Sequence, residues 1–190
     1  MTELLKPYSD TAASEKMIAR TQTWLERAVI GLNLCPFAKS VFVKKQVRYA
    51  LTAASTPDEL LAELEHELAL MVDTDPAKLD TTLLIHPLAM TDFLDFHFFL
   101  GEVDALIRNL GYEGVFQIAS LHPQYEFAGS TPDDIANYTN RSPYPTLHLL
   151  RESSIDRAVA AFPDAEAIFE RNIETMERLG HEGWKKLWLS

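Results

Sequence analysis

The chain has 190 residues, a hydrophobic fraction of 47% and a net charge of −11 at pH 7. This length and composition fit one globular domain, residues 1–190, with a core of its own. The acidic balance argues against a nucleic-acid partner, because a phosphate-reading surface needs a basic face. The largest basic grouping is the pair Lys44 and Lys45 with Arg48.

The cysteine content and the N-terminal sequence predict a cytoplasmic protein. Cys35 is the only cysteine, so no disulfide can form within the chain, which fits a reducing compartment. The N-terminus lacks the basic segment and apolar core of a signal peptide. The longest strongly apolar stretch, 93–100, is too short to span a bilayer, so no membrane contact is expected.

The first half of the chain predicts two helices and two strands after a loose arm at residues 1–9. Apolar residues at helical spacing predict a helix over 10–32, which should end before Pro36. The β-branched and aromatic residues of 41–52 predict a strand, with a start near Gln46 as the alternative. Thr56, Pro57 and Glu59 form a capping box that opens the next helix. Residues 81–85 predict the second strand.

The second half continues the alternation. Thr91 and Asp92 open a helix that ends at Gly111, and 115–119 predict the third strand. A fourth strand is predicted over 146–150, followed by closing helices at 153–162, 164–179 and 182–189. Strands joined by single helices are usually parallel neighbours. The sequence therefore predicts an α/β fold in which flanking helices cover a small, mainly parallel sheet.

The segment from Ser120 to Glu152 is predicted to be a long, ordered loop that carries the function. Loops of this length are unusual in compact domains and tend to be either functional or disordered. Its aromatic residues oppose disorder. Tyr125 and Tyr144 are candidates for lining a substrate pocket, or alternatively for attaching the loop to the sheet.

Two histidines follow the ends of predicted strands in a short repeated pattern. Leu-Ile-His-Pro ends at Pro87, and Ser-Leu-His-Pro ends at Pro123. If the strands are parallel, His86 and His122 lie beyond the same sheet edge, where open α/β sheets bind ligands. Either could be a metal ligand or a general base, because the imidazole pKa lies near neutrality. The alternative is that each histidine forms only local hydrogen bonds.

Three further kinds of residue could serve the same site. His148, which alternates with two leucines, and Cys35 are catalytic candidates; Cys35 could be a nucleophile, a thiolate ligand or a small buried side chain. A Cys-Pro pair also occurs as a haem ligand. Arg141 and Arg151, with Asn140 beside the first, are candidates for binding an anionic group. The alternative for the arginines is pairing with acidic residues of the chain itself.

Three segments resemble a bacterial family, the domain of unknown function 1415. They are 31–38 (GLNLCPFA), 122–128 (HPQYEFA) and 137–152 (NYTNRSPYPTLHLLRE). The resemblance covers nearly the whole chain and implies a compact soluble protein of about this length. It implies no activity and no catalytic residues.

These observations leave two main hypotheses for function and a third, structural one. The leading hypothesis is a small enzyme that acts on a small polar or anionic molecule, with a metal ion as the candidate cofactor. The alternative is a non-catalytic module that binds a small ligand, haem or a protein. For a protein partner, an apolar patch near Trp184, Leu187 and Trp188 is the predicted surface. In the third hypothesis the long loop only stabilises the fold.

Overall fold

The computed structural model of the protein describes residues 11–161 and 167–188. The N-terminal arm predicted at 1–9 lies outside these residues. The first helix, α1 (Thr11–Trp24), continues into one π-helical turn, Leu25–Ile30, so the helix predicted over 10–32 is confirmed in its main part. A short helix, α2 (Ala38–Val43), precedes the first strand, β1 (Val47–Leu51).

The predicted strand over 41–52 was therefore wrong at its N-terminal end. Val41 and Val43 belong to α2, although β-branched residues favour strands. β-Propensity is a weak preference that tertiary contacts override, and the partly buried Phe42 packs against the cluster around Trp24. The alternative start near Gln46 is close to the observed strand.

Two helix–strand units follow, with bounds close to those predicted. Helix α3 (Pro57–Asp73) begins with the predicted capping box at Thr56 and leads to β2 (Thr81–Ile85). Helix α4 (Phe93–Asn109) is capped by the Asp92 side chain and leads to β3 (Phe116–Leu121). A 3₁₀ turn (Ile135–Thr139) lies inside the long loop before β4 (Thr146–Arg151).

The closing helices are α5 (Glu152–Ala160) and α6 (Ile168–Lys186). The two helices predicted at 164–179 and 182–189 are joined in α6 across a kink at Gly180, whose φ of 62° and ψ of 174° are non-helical. Residue 162, at the end of the helix predicted at 153–162, and residues 164–166 and 189, at the ends of the other two predictions, lie outside the described part. Within the described part, no helix is both long and apolar enough to cross a membrane.

The four strands form a mixed sheet in the order β1-β2-β4-β3, so the prediction of a mainly parallel sheet was wrong. β1 and β2 are parallel, whereas β4 lies between β2 and β3 and is antiparallel to both. The β2–α4–β3 unit leaves a gap of one strand, which β4 fills after the long loop reverses the chain. β2 and β3 consequently run in the same direction without being neighbours.

Each face of the sheet packs against a different set of helices. One face packs against α3 and α4, with Leu84, Leu147 and Leu149 buried below Leu64 and Phe96. The other face packs against α1 and its π-helical turn, where Leu83 contacts the cluster that contains Trp24. Strand alternation therefore decides which helices each side chain can reach.

Candidate ligand-binding site

The structure brings His86 and His122 together at one edge of the sheet. Each histidine follows a strand, β2 or β3, and both strands end at this edge because they run in the same direction. Both imidazoles lie against the Phe96 ring of α4, with centroid distances of 5.4 Å. Both histidines are fully buried. We call His86, His122, Phe93 and Phe96 the histidine cluster.

His122 uses both ring nitrogens in hydrogen bonds to the backbone. The peptide N–H of Gln124 donates to Nδ1 at 3.0 Å, so Nε2 carries the proton and donates to the Met90 carbonyl at 3.2 Å. Burial lowers the pKa of His122, while the Met90 carbonyl and nearby Asp92 oppose that effect. This neutral, fully bonded imidazole connects the start of the long loop to the segment before α4.

His86 uses only one of its two ring nitrogens. Nδ1–H donates to the Ala89 carbonyl at 3.0 Å, which leaves Nε2 as an unprotonated acceptor. This Nε2 is one of three buried side-chain atoms in the described part that lack a hydrogen-bond partner, with Tyr49 Oη and Thr82 Oγ1. Burial lowers the pKa of His86 to about 4, so its imidazole is neutral at physiological pH.

The two predicted metal ligands, His86 and His122, are not joined by a third ligand in the part of the chain that the structure describes. Within residues 11–161 and 167–188, no group of three His, Cys, Asp or Glu side chains is arranged to hold a metal ion. Zinc and other transition metals in proteins usually need three or four such ligands.

The long loop is held by a buried asparagine that the sequence reasoning missed. Asn137 is fully buried. Its Oδ1 accepts from the Phe127 N–H at 3.0 Å and the Ser130 hydroxyl at 2.8 Å, and its Nδ2 donates to the Thr131 carbonyl at 2.8 Å. The signal in the sequence was weak, because asparagine is common in turns whether or not it is buried. The neighbouring candidate Asn140 contributes its backbone carbonyl to the N–H of His122.

Arg141 is committed to the same loop. Its guanidinium donates to the carbonyls of Tyr125 at 3.1 Å and Pro132 at 2.8 Å, and lies 4.4 Å from the centroid of the Tyr138 ring. Its own carbonyl accepts from the indole N–H of Trp24 at 2.9 Å. The side chain predicted to bind an anion therefore already bridges two parts of the loop.

The two candidate tyrosines also have contacts within the fold. The Tyr125 ring packs between Phe93 and Phe127, at centroid distances of 5.2 and 5.0 Å. Arg20 lies 5.8 Å from the Tyr144 ring, which is half-buried. Tyr125 thus joins the loop to the histidine cluster, whereas Tyr144 lies beside α1.

Arg151 lies at the opposite end of the sheet from the two histidines, because β4 runs antiparallel to β2 and β3 and Arg151 is its last residue. Its guanidinium donates to the carbonyls of Met71, Thr74 and Leu79, which follow or end α3. Carbonyls at a helix C-terminus lack partners within the helix, and a cation near them is favourable. The structure therefore separates Arg151 from Arg141 and from the histidine cluster.

Cys35 and His148 lie on the other face of the sheet, away from α4. His148 pairs with Leu83 across the β2–β4 ladder, and its Nε2 is 2.8 Å from the hydroxyl of Thr81. Burial lowers the pKa of His148 to about 4. Burial also raises the pKa of the Cys35 thiol, which opposes thiolate formation. Neither residue joins His122 in a catalytic arrangement.

A cleft beside the histidine cluster lies outside the predicted loop. It has a volume of about 500 Å³ and is bounded by residues that follow β1 and β2 and by α4. We call it the α4 cleft. Met90 lines the cleft, and its backbone carbonyl accepts the hydrogen bond from Nε2 of His122. The histidine cluster therefore holds one wall of the cleft in place.

The α4 cleft combines apolar walls with negative charge. Its lining includes the apolar residues Leu88, Met90, Phe98 and Phe99, and the acidic residues Asp92, Asp95 and Glu102, but no basic residue. The Asp92 carboxylate already accepts from two backbone N–H groups as the cap of α4. Asp95 and Glu102 therefore supply the charge available to a ligand.

The sequence carried a signal for this cleft in α4 itself. Leu94 and Phe98 are large apolar residues of this helix, and both are exposed. Asp95 and Glu102 are acidic residues of the same helix. Their position beside exposed apolar side chains is a tertiary property.

The fold and the cleft define an open α/β protein with a mixed four-stranded sheet. The model of a family described as a protein of unknown function, DUF1415, matches residues 16–186, and the chain belongs to this family. The resemblance seen in the three sequence segments is thereby confirmed. No curated protein matches the chain, and no solved structure matches it.

Proposed function

We propose that this protein is a binding module whose ligand lies in the α4 cleft and carries a positive charge next to an apolar group. The observation that supports this most directly is the lining of the cleft, in which Asp95 and Glu102 stand beside Phe98 and Leu88 without a basic residue. Ligand-binding sites are typically concave, with a few placed polar groups that fix the orientation of the ligand.

The position of the cleft also supports a binding role. Ser55 follows β1 and Leu88 follows β2, and these two strands are parallel neighbours. Ligands of open α/β sheets bind outside the carboxyl ends of such strands.

The charge of the ligand departs from the anionic class considered from the sequence. Arg141 and Arg151, the candidates for holding an anion, already donate to backbone carbonyls. An anion in the α4 cleft would face two carboxylates at close range, whereas a cation is attracted by them. A ligand with an amine or guanidinium group fits this lining.

A matched pair of small probes tests the proposal. Butylammonium and butyrate have equal chain length and opposite charge, so chemical-shift changes of α4 amides should appear with the first and be absent with the second. The double variant Asp95→Asn, Glu102→Gln should abolish the response, whereas Glu177→Gln, an exposed position of α6, should preserve it. A response to butyrate alone, or none to either probe, contradicts the proposal.

An enzyme is the second candidate, supported by the unpartnered Nε2 of His86. Nε2 carries a free lone pair. In the chain, His86 comes just before the segment that contains Leu88 and Met90, which line the cleft. As a general base it would require that segment to move, because His86 is fully buried. In this case an amine that binds the cleft is turned over by the wild type, and His86→Asn retains binding but loses turnover. Binding without turnover by the wild type across a panel of amines contradicts this candidate.

A further inference from the structure

The outer face of α4 carries large apolar side chains that the fold leaves in solvent. Phe98 is 75% exposed, Leu94 is 63% exposed and Leu88, across the cleft, is 51% exposed. Leu94 and Phe98 are four residues apart and therefore lie side by side on the helix surface. Contiguous apolar surface with a polar rim marks an interaction site.

Gly101 extends this surface by one helical turn. A Cβ atom added at Gly101 would meet nothing within 4 Å, so packing within the chain does not require glycine there. Glycine in a helix interior costs stability relative to alanine. Because Gly101 has no side chain, the backbone of another molecule could approach the backbone of α4 closely beside Phe98.

The spacing of these residues is that of one side of a coiled coil. Leu94, Phe98 and Gly101 follow one another at intervals of four and three, which places them at successive core positions of a heptad. Asp95 and Glu102 then both occupy the flanking position that forms charge pairs with a partner helix, seven residues apart. A seven-residue step on a helix is about 10 Å.

We propose that this face of α4 docks an amphipathic helix of a partner protein, with apolar residues at core spacing and two basic residues seven positions apart. The inference rests on the proposed function, because the same cleft carboxylates attract the charge. It goes further in assigning the ligand to a helix. Leu94 and Gly101 lie outside the cleft lining but on the same helix face, so the surface is longer than the cleft.

The charge pattern favours this partner over a second copy of the chain. In an antiparallel pair of α4 helices, Asp95 and Glu102 of one copy would face those of the other, and each copy carries a net charge of −11. Like charges placed opposite each other across an interface are unfavourable. A partner helix with lysine or arginine at those positions meets the carboxylates with opposite charge.

A designed peptide provides the test. An 18-residue helical peptide with leucine at the core positions and lysine at the flanking positions should bind the full-length protein and shift α4 amide resonances. The same peptide with glutamate in place of lysine should not bind. Phe98→Ser should weaken binding of the lysine peptide by at least about tenfold, as removal of a central interface side chain does. Val43→Ser, at an equally exposed position of α2, should leave the affinity unchanged.

Gly101→Ala separates docking from a change in folding. It should raise the melting temperature by about 2–4 °C, since alanine is worth about 1 kcal/mol in a helix. It should also weaken peptide binding, because the added methyl group occupies the space of close approach. Unchanged affinity in both Phe98→Ser and Gly101→Ala overturns the docking face.

Two further outcomes are informative. If butylammonium binds the cleft but the lysine peptide does not, the proposed function stands and the helical partner is wrong; if neither binds, both fail. A dimer of the wild-type protein in sedimentation that Phe98→Ser converts to a monomer assigns the face to a second copy and overturns the partner inferred above.

Discussion

Replacing His86 by asparagine removes a histidine that the fold keeps neutral, and it should change how stability depends on pH. An asparagine amide can still donate to the Ala89 carbonyl, as Nδ1–H of His86 does at 3.0 Å. The substitution therefore removes the titrating group while keeping its main hydrogen bond.

The size of the effect follows from the two states of the imidazole. Burial lowers the pKa of His86 from 6.5 to about 4 in the folded protein, whereas the unfolded chain keeps the ordinary value. Between these values the unfolded chain binds the proton and the folded chain does not, so the free energy of unfolding falls as the pH is lowered from 6.5 to 4. At about 1.4 kcal/mol per pKa unit, the loss attributable to His86 is about 3 kcal/mol.

Urea unfolding monitored by tryptophan fluorescence at several pH values measures this loss. The wild type should lose about 3 kcal/mol more than His86→Asn between pH 6.5 and pH 4, because all other titrating groups are common to both proteins. His66→Asn, at an exposed position of α3, is the control and should follow the wild type. Parallel curves for the wild type and His86→Asn would refute the reasoning.

Three further predictions concern the loop, the α3 end and the thiol. Asn137→Ala should lower the free energy of unfolding in urea by about 2–3 kcal/mol, because two backbone groups and one hydroxyl lose their buried partner. It should also increase proteolysis between β3 and β4. Full resistance to proteolysis would contradict the role of Asn137 in holding the loop. Arg151→Met should lower the free energy of unfolding by about 2–4 kcal/mol, because the carbonyls of Met71, Thr74 and Leu79 each lose the bond from the guanidinium, although Met71 keeps the one from the Thr74 N–H. The α4 amide shifts caused by butylammonium should not change; loss of that response would place Arg151 in the site. The Cys35 thiol should react with iodoacetamide at pH 8 more slowly than glutathione, because burial raises its pKa; equal or faster reaction would contradict this.

The elements of the fold that rest on local chemistry were predictable. The capping box at Thr56 and the side-chain cap at Asp92 begin α3 and α4 at the predicted places. Leu60, Leu64 and Leu68 recur at helical spacing in the sequence, and all three are fully buried along α3. These features depend on residues within one or two turns of each other, which the sequence displays directly.

The site residues were only partly predictable. His86 and His122 lie at the same end of the sheet, as the shared His-Pro pattern indicated, because β2 and β3 run in the same direction, although β4 lies between them. The imidazole hydrogen bonds with Ala89 and Gln124 are local, whereas the bond from Nε2 of His122 reaches the Met90 carbonyl, 32 residues away. Composition could not show that Arg151 lies among the carbonyls at the end of α3.

The sequence by itself determined the acidic charge, the positions of most helices and strands, and membership of the family through its long third segment. Tertiary structure alone decided that β4 enters between β2 and β3, that the arginines donate to backbone carbonyls, and that Leu94 and Phe98 stay exposed beside two carboxylates. The physical reason is the distance along the chain over which each kind of interaction acts. Capping, helical periodicity and charge are local properties of the chain, whereas strand order, hydrogen-bond partners and exposure arise from contacts between distant segments.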